Sequence, residues 1–122
     1  MRAREFLIEA LAISVKKQGK KFATQMSLDG VLIGSYEYDE PSGRSLAEVV
    51  PTHRGKGYGK ILVLHAIYTA AVNGLNFVED DSRTPAYNAV LDSLWDEGLI
   101  IDDDGYWYVT EKGEEYLEEH LS

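Results

Sequence analysis

The stretch "KILVLHAIYTAAV", residues 60–72, constrains this chain more than any other. Ile61, Leu62, Val63, Leu64, Ala66, Ile67, Ala70, Ala71 and Val72 leave almost no polar side on a helix. Only His65, Thr69 and Asn73 make a polar stripe, at i, i+4 and i+8. A helix this apolar cannot lie on a surface with one face in water; it must be covered on most sides. It is also too short to cross a bilayer. The spacing predicts a helix over 57–73, capped by Gly74, that packs against a sheet. The rest of the chain has to supply that sheet.

"AREFLIEALAISVKKQ", residues 3–18, places Ala3, Phe6, Leu7, Ala10, Leu11 and Ser14 on one helical stripe, with Gly19 as a stop after a lysine pair. "KFATQMSLDGVLIGSYEYD" alternates about Asp29-Gly30, a dipeptide that readily takes the positive φ angles of a two-residue hairpin turn. "RSLAEVV", 44–50, reads as a third antiparallel strand closed by Pro51. "LNFVED", 75–80, reads as a short buried strand, made parallel to a neighbour by the helix crossover before it. "TPAYNAVLDSLWDEG", 84–98, is a helix with Thr84 as cap, Pro85 in its first turn and Gly98 at its end. "LIIDDDGYWYVT" is a hairpin about Asp103, Asp104 and Gly105, and "EKGEEYLEEHLS" a short acidic helix or tail. The expected fold is α/β of the α+β type: one domain over 1–122, with a mixed, mainly antiparallel sheet flanked by helices.

Charge is distributed unevenly. The net charge is −9; residues 1–60 carry ten Lys/Arg against seven Asp/Glu, whereas residues 76–122 carry two against fourteen. Such a C-terminal part repels polyanions, so no nucleic-acid partner is expected. It would attract a cationic partner such as an amine or a lysine-rich protein, and it equally fits a solvated face. Without cysteine, disulfides, thiolate metal sites and a cysteine nucleophile are excluded. His53, His65 and His120 lie far apart and show no metal-ligand spacing. With neither a membrane-spanning stretch nor a signal-peptide pattern, a cytoplasmic protein is expected.

The mouth of the apolar helix carries the chemistry. "PTHRGKGYGK" puts Gly55, Gly57 and Gly59 at alternate positions, among Arg54, Lys56 and Lys60. Glycines let the backbone approach a ligand closely and turn successive N–H groups into one concavity. A helix N-terminus adds partial positive charge and unpaired donors. Together they suit a phosphate or pyrophosphate. The dinucleotide fingerprint G-x-G-x-x-G is not met, and the nucleotide loop G-K-[ST] fails because Ile61 follows Lys60.

The spacing V-x-P-x-x-[QR]-x-x-G-x-[GA] is met by Val49, Pro51, Arg54, Gly57 and Gly59. It resembles the acetyl-coenzyme A loop of the GNAT superfamily of N-acetyltransferases, and the likeness in element order runs from about residue 22 to about residue 110. The resemblance implies an N-terminally trimmed GNAT-like domain that moves an acetyl group from acetyl-CoA to a primary amine by direct attack. The acceptor would be a protein lysine, a protein N-terminus or a small amine. In that family the loop amides, here of Gly55, Lys56, Gly57, Tyr58, Gly59 and Lys60, hold the coenzyme A pyrophosphate, beside Arg54. The strand end at Glu48, Val49 and Val50 offers backbone groups to the pantetheine arm and thioester. A glutamate on the splayed strands often serves as base, which makes Glu48 and Glu79 candidates, with Asp80 a rival. Glu48 equally reads as a charge on the solvent side of an alternating strand. The family's acid is often a tyrosine four residues before the helix-ending glycine. Leu94 stands there, with Tyr87 two turns earlier as a substitute. One helix, residues 3–18, replaces the family's usual strand and two helices, so the acceptor pocket would be open or completed by another chain, as in a homodimer.

Three other readings compete. One is a GNAT-like domain that binds acetyl-CoA or a partner without transfer. Another is an acidic interaction or inhibitor protein that covers a basic surface. The third is a winged-helix half over "VLDSLWDEGLIIDDDGYWYVTEKGEEYL", in which the groove-entering helix carries Asp92, Asp96 and Glu97 and no basic residue, which opposes DNA binding.

Overall fold

The computed structural model describes residues 11–39, 44–74, 85–103 and 106–121. Four strands, β1 (Leu11–Gln18), β2 (Lys21–Leu28), β3 (Val31–Asp39) and β4 (Arg44–Val49), form one antiparallel sheet in chain order. A 3₁₀ turn, Pro51–His53, leads to helix α1 (Tyr58–Val72). Helix α2 (Pro85–Asp96), strands β5 (Ile100–Asp103) and β6 (Tyr106–Val109), and helix α3 (Glu111–His120) follow. The architecture is mixed α+β. The anticipated strand at 75–80 and its parallel pairing lie outside the described residues. The closing hairpin pairs within itself as a separate two-stranded sheet.

Residues 11–18 correct the expected helix over 3–18. They form strand β1, paired along its length with β2 from Leu11↔Leu28 to Gln18↔Lys21. Leu11, Ile13 and Val15 alternate along it, and β-branched Ile13 and Val15 favour a pleated surface. Gly19 does not cap a helix. Its φ of 60° places it first in the two-residue turn of the β1–β2 hairpin. Residues 3–10 lie outside the described residues. The next hairpin is as expected: Asp29 and Gly30 both take positive φ, 51° and 86°.

One face of the sheet is covered. Phe22, Thr24 and Met26 of β2 stand opposite Tyr38, Tyr36 and Gly34 of β3, and all six face the core. A bulge between Met26 and Ser27 leaves Ile33 as an extra residue, which turns into the core beside Gly34. Here α1 lies close to the sheet: a Cβ on Gly34 would stand 3.5 Å from Leu62 and 3.0 Å from the Glu48 carbonyl oxygen. The other sides of α1 meet α2, β6 and α3. Ile61, Leu62, Val63, Leu64, Ala66, Ile67 and Ala70 are all buried. Each large one contributes about 2 kcal/mol relative to exposure.

The C-terminal half closes around short-range motifs. Gly98 (φ 73°) ends α2, with Gly98 N donating to Trp95 O and Leu99 N to Leu94 O. That is a Schellman end, and its apolar contact is formed by buried Leu94 and Leu99. Thr110 caps α3 by accepting from Gly113 N at 3.1 Å, while its hydroxyl donates to Gly98 O at 2.7 Å. The acidic segment is thus a helix anchored to the end of α2.

Gly113 sits at the closest approach of α3. A Cβ there would be 2.3 Å from Leu99 O and 2.6 Å from Val109 Cγ1. Gly59 lacks a positive φ, and its nearest neighbour would be Val49 Cγ2 at 3.8 Å. A helical Gly→Ala change ordinarily stabilises by about 1 kcal/mol. Gly113→Ala should instead destabilise by about 2 kcal/mol through overpacking, whereas Gly59→Ala should leave stability unchanged or slightly raised. Urea denaturation of the two variants checks both signs.

Candidate functional site

Strand β4 delivers the chain to the loop. Val50 N donates to Ile33 O at 2.8 Å, so β4 stays tied to the bulged strand up to its last residue. His53 N then donates to Val50 O at 2.9 Å and turns the chain away. Arg54 Nε donates back to Val49 O at 2.8 Å. Thr52 Oγ1 meets His53 Nδ1 at 3.0 Å, and the His53 ring lies 6.0 Å from that of Tyr58. The loop is therefore braced against the end of β4.

Two of its three glycines are required by the backbone. Gly55 (φ 78°) and Gly57 (φ 86°) occupy the left-handed region, where a side chain is strained. Gly57 is the N-cap of α1 and provides no side-chain cap. The helical hydrogen bonding begins with Ile61 N to Gly57 O at 3.3 Å. Ahead of it, the N–H groups of Gly55, Lys56, Gly57, Gly59 and Lys60 meet no acceptor among the described residues. An uncapped helix start behind two left-handed glycines is a set of open donors with partial positive charge.

The charges divide. Lys56 is exposed at the tip of the loop. Arg54 is exposed but fixed to the end of β4. Lys60 turns elsewhere: its Nζ donates to Glu97 Oε2 just beyond α2, and it lies 5.2 Å from the ring centre of Tyr116 on α3. Ser93 Oγ donates to the same Glu97 oxygen at 2.8 Å. The hydrogen bonds from Lys60 and then Ser93 hold the Glu97 carboxyl below the usual glutamate range.

The two described candidate catalytic residues, Glu48 and Tyr87, do not come together. Glu48 is exposed and paired with Ser35, on the sheet face opposite that of Ala47 and Val49, which pair with Tyr36 and Gly34. Tyr87 lies on the covered face, where its hydroxyl meets that of Tyr36 at 2.8 Å and the rings lie 6.4 Å apart. Glu48 and Tyr87 are thus on opposite sides of the sheet. Leu94, at the expected tyrosine position, is fully buried in the core. Glu79 and Asp80 lie outside the described residues. The sequence did not link Tyr36 to Tyr87, or Ser93 and Glu97 to Lys60, because no local pattern connects them; Glu97 stood there only as an acidic charge opposing DNA binding. Near the tyrosine pair, Thr24 Oγ1 and Asn88 Oδ1 are buried without a partner among the described residues. Thr24 stands opposite Tyr36 in the sheet, and Asn88 follows Tyr87 on α2.

No family model and no curated protein matches this chain. Among the described residues, no helix is long and apolar enough to cross a membrane.

The polar stripe of α1 carries one titrating group. Burial pushes the His65 imidazole below the ordinary histidine value. Its Nδ1 lies 3.3 Å from Thr69 Oγ1, and the Thr69 hydroxyl also donates to His65 O at 2.9 Å. A histidine with a lowered folded-state pKa favours folding while neutral. That stabilisation is complete above about pH 6.5 and is lost as the pH falls through the lower folded value. Thermal melts between about pH 5 and pH 7.5 should show a stability loss on acidification that is smaller in His65→Gln.

Proposed function

We propose that this chain is an acetyl-CoA-dependent N-acetyltransferase of GNAT type, and that the residue 54–60 loop holds the diphosphate of the donor. The observation that carries the reading is the uncapped start of α1 behind Gly55 and Gly57, whose open amides adjoin the end of β4. Such a cradle needs close backbone approach and unpaired donors, and both are present. Lys56 adds an exposed charge. Acetyl-CoA supplies a thioester that an amine attacks directly, with the coenzyme thiolate as leaving group.

The chain's own residues then have limited tasks. The loop amides and Lys56 anchor the donor, and most of the rate advantage comes from orientation. Val49 and Val50 line the route along the end of β4. The Val49 carbonyl already accepts from Arg54, which leaves it one lone pair for a further donor. Tyr87 is the candidate proton donor on the covered face, with Tyr36 fixing its hydroxyl. Asn88 Oδ1, buried and without a partner among the described residues, suits the N–H of an amine acceptor. Glu48 faces the other side of the sheet, so a water chain or Glu79 takes the ammonium proton. The primary amine is a protein lysine, a protein N-terminus or a small amine.

A second reading draws on the C-terminal half. There β5–β6 forms its own small sheet, and the exposed pair Ile101 and Tyr108, direct neighbours in register, faces outward beside Asp102 and Asp103. In that reading the chain is a protein-interaction module, and the glycine loop only lets α1 pack.

Calorimetric titration with acetyl-CoA separates the two. Gly57 variants are unsuitable because any side chain there is strained. Lys56→Glu changes an exposed residue and should preserve the fold. The wild type should bind in the micromolar range and Lys56→Glu about tenfold more weakly. Transfer is then read as loss of the acceptor amine in the presence of donor. Absence of binding by the wild type up to about a millimolar would return the loop to a packing role and favour the interaction reading.

A further inference from the structure

We propose that the open face of the four-stranded sheet is a self-complementary surface on which a second copy of this chain docks, Lys16 of each copy against Glu37 and Glu48 of the other. The pairing does not depend on what the glycine loop holds.

Phe22, Met26, Tyr36 and Tyr38 point to one side of the sheet, where α1 packs and Tyr87 of α2 meets Tyr36. Alternation sends the residues between them to the reverse side. Lys16 of β1 and Lys21 of β2 lie there, with Glu37 of β3 and Glu48 of β4. Ala23 stands between Lys16 and Glu37 in register, and Ser35 stands beside Glu48. All four charged residues are exposed, and none of them forms an ion pair among the described residues. Asp39 and Arg44, opposite in sign and direct neighbours in register, add no net charge to this face. The four exposed charges are therefore divided by sign, positive on β1 and β2 and negative on β3 and β4.

That division is what a two-fold axis needs. An axis along the strands, between β2 and β3, lays β1 and β2 of one copy over β3 and β4 of the other. Each lysine then meets the acidic half of the opposite copy, and the contact occurs twice. A partner of uniform charge, acidic or basic, meets like charge on half of the face, so the pattern favours a second copy over such a partner. Small Ala23 and Ser35 suit the spacing of about 10 Å between sheets packed face to face. Leu32, 53% exposed at the end of the same face, gains cover in the pair. Four strands about 4.8 Å apart, each of about seven residues rising about 3.4 Å, give a face of about 450 Å². Two copies then cover about 900 Å² counted flat, near the lower limit for a specific interface, so an affinity in the micromolar range is expected.

The test is sedimentation equilibrium of the full chain from about 5 μM to about 1 mM, the range in which such an affinity is read. The wild type should pass from monomer to dimer within it. Lys16→Glu and Glu48→Lys change exposed residues, and circular dichroism checks that both stay folded. Each should weaken association about tenfold, because every reversal acts twice in a symmetric pair. Glu48→Lys reduces the net charge of −9, so a general repulsion effect would strengthen association instead. An equimolar mixture of the two variants should associate as the wild type does, since each mixed pair again sets opposite charges together at both contacts. A chain carrying both substitutions should do the same. A wild type that stays monomeric at about 1 mM overturns the proposal. So does a dimer that ignores both reversals, because its contact is then another surface. So does a mixture that fails to recover association, because the variants then act within the chain and not across the pair.

Discussion

The structure depends on the need to cover α1 on most of its sides, its last turn at Ala71 and Val72 alone staying exposed among its apolar stretches. An amphipathic helix can settle on a sheet and leave its other face to water, but Ile61, Leu62, Val63, Leu64 and Ile67 point in too many directions for that. The antiparallel sheet covers one side through Tyr36, Met26 and Ile33, and the C-terminal half covers others through Leu94, Trp107 and Leu117. The small β5–β6 sheet is held by its contacts with α1, α2 and α3. The four-stranded sheet and the β5–β6 hairpin are thereby joined through one helix. The glycine loop, at the N-terminal end of that helix, inherits a rigid platform.

Much of this was legible in the sequence, and the reasons differ by element. Asp29-Gly30 identified its hairpin because the turn itself demands positive φ at both positions. The apolar run identified α1, and Gly74 and Gly98 marked the ends of α1 and α2 because left-handed caps favour glycine. Residues 11–18 misled because Leu11 and Ser14 fit a helical spacing while Leu11, Ile13 and Val15 fit an alternating one. What decided between them was pairing with β2, a tertiary event that no window of eight residues contains. Gly19 carried the same ambiguity, since glycine ends helices and begins hairpin turns for the same conformational reason.

The backbone geometry of the candidate loop was legible, and the side-chain partnerships around it much less so. A glycine at alternate positions before a helix states a local geometry, and the left-handed angles at Gly55 and Gly57 follow from it. Gly59 does not share that constraint, so the spacing alone overstated how many of the three glycines the fold requires. The side-chain partnerships are long-range. Tyr36 and Tyr87 are 51 residues apart, and Lys60 and Glu97 are 37 apart. Neither pair leaves a periodic trace. Alternation along β4 did carry information: it put Glu48 on the opposite face from Val49, and the pairing with Ser35 agrees.

The fate of the loop's three cations follows from where each is attached. Arg54 lies before the left-handed glycines and folds back onto the strand it has just left. Lys56 lies between them and is exposed. Lys60 is already helical, so its direction is set by α1, and α1 is set by the core. That core brings the end of α2 alongside, and Glu97 with it, because Leu94 must be buried and the Schellman turn at Gly98 leaves Glu97 one residue earlier on the outer side. The contact between Lys60 and Glu97 is thus a consequence of covering an apolar helix. The position of the Lys60 charge is thereby determined by hydrophobic packing.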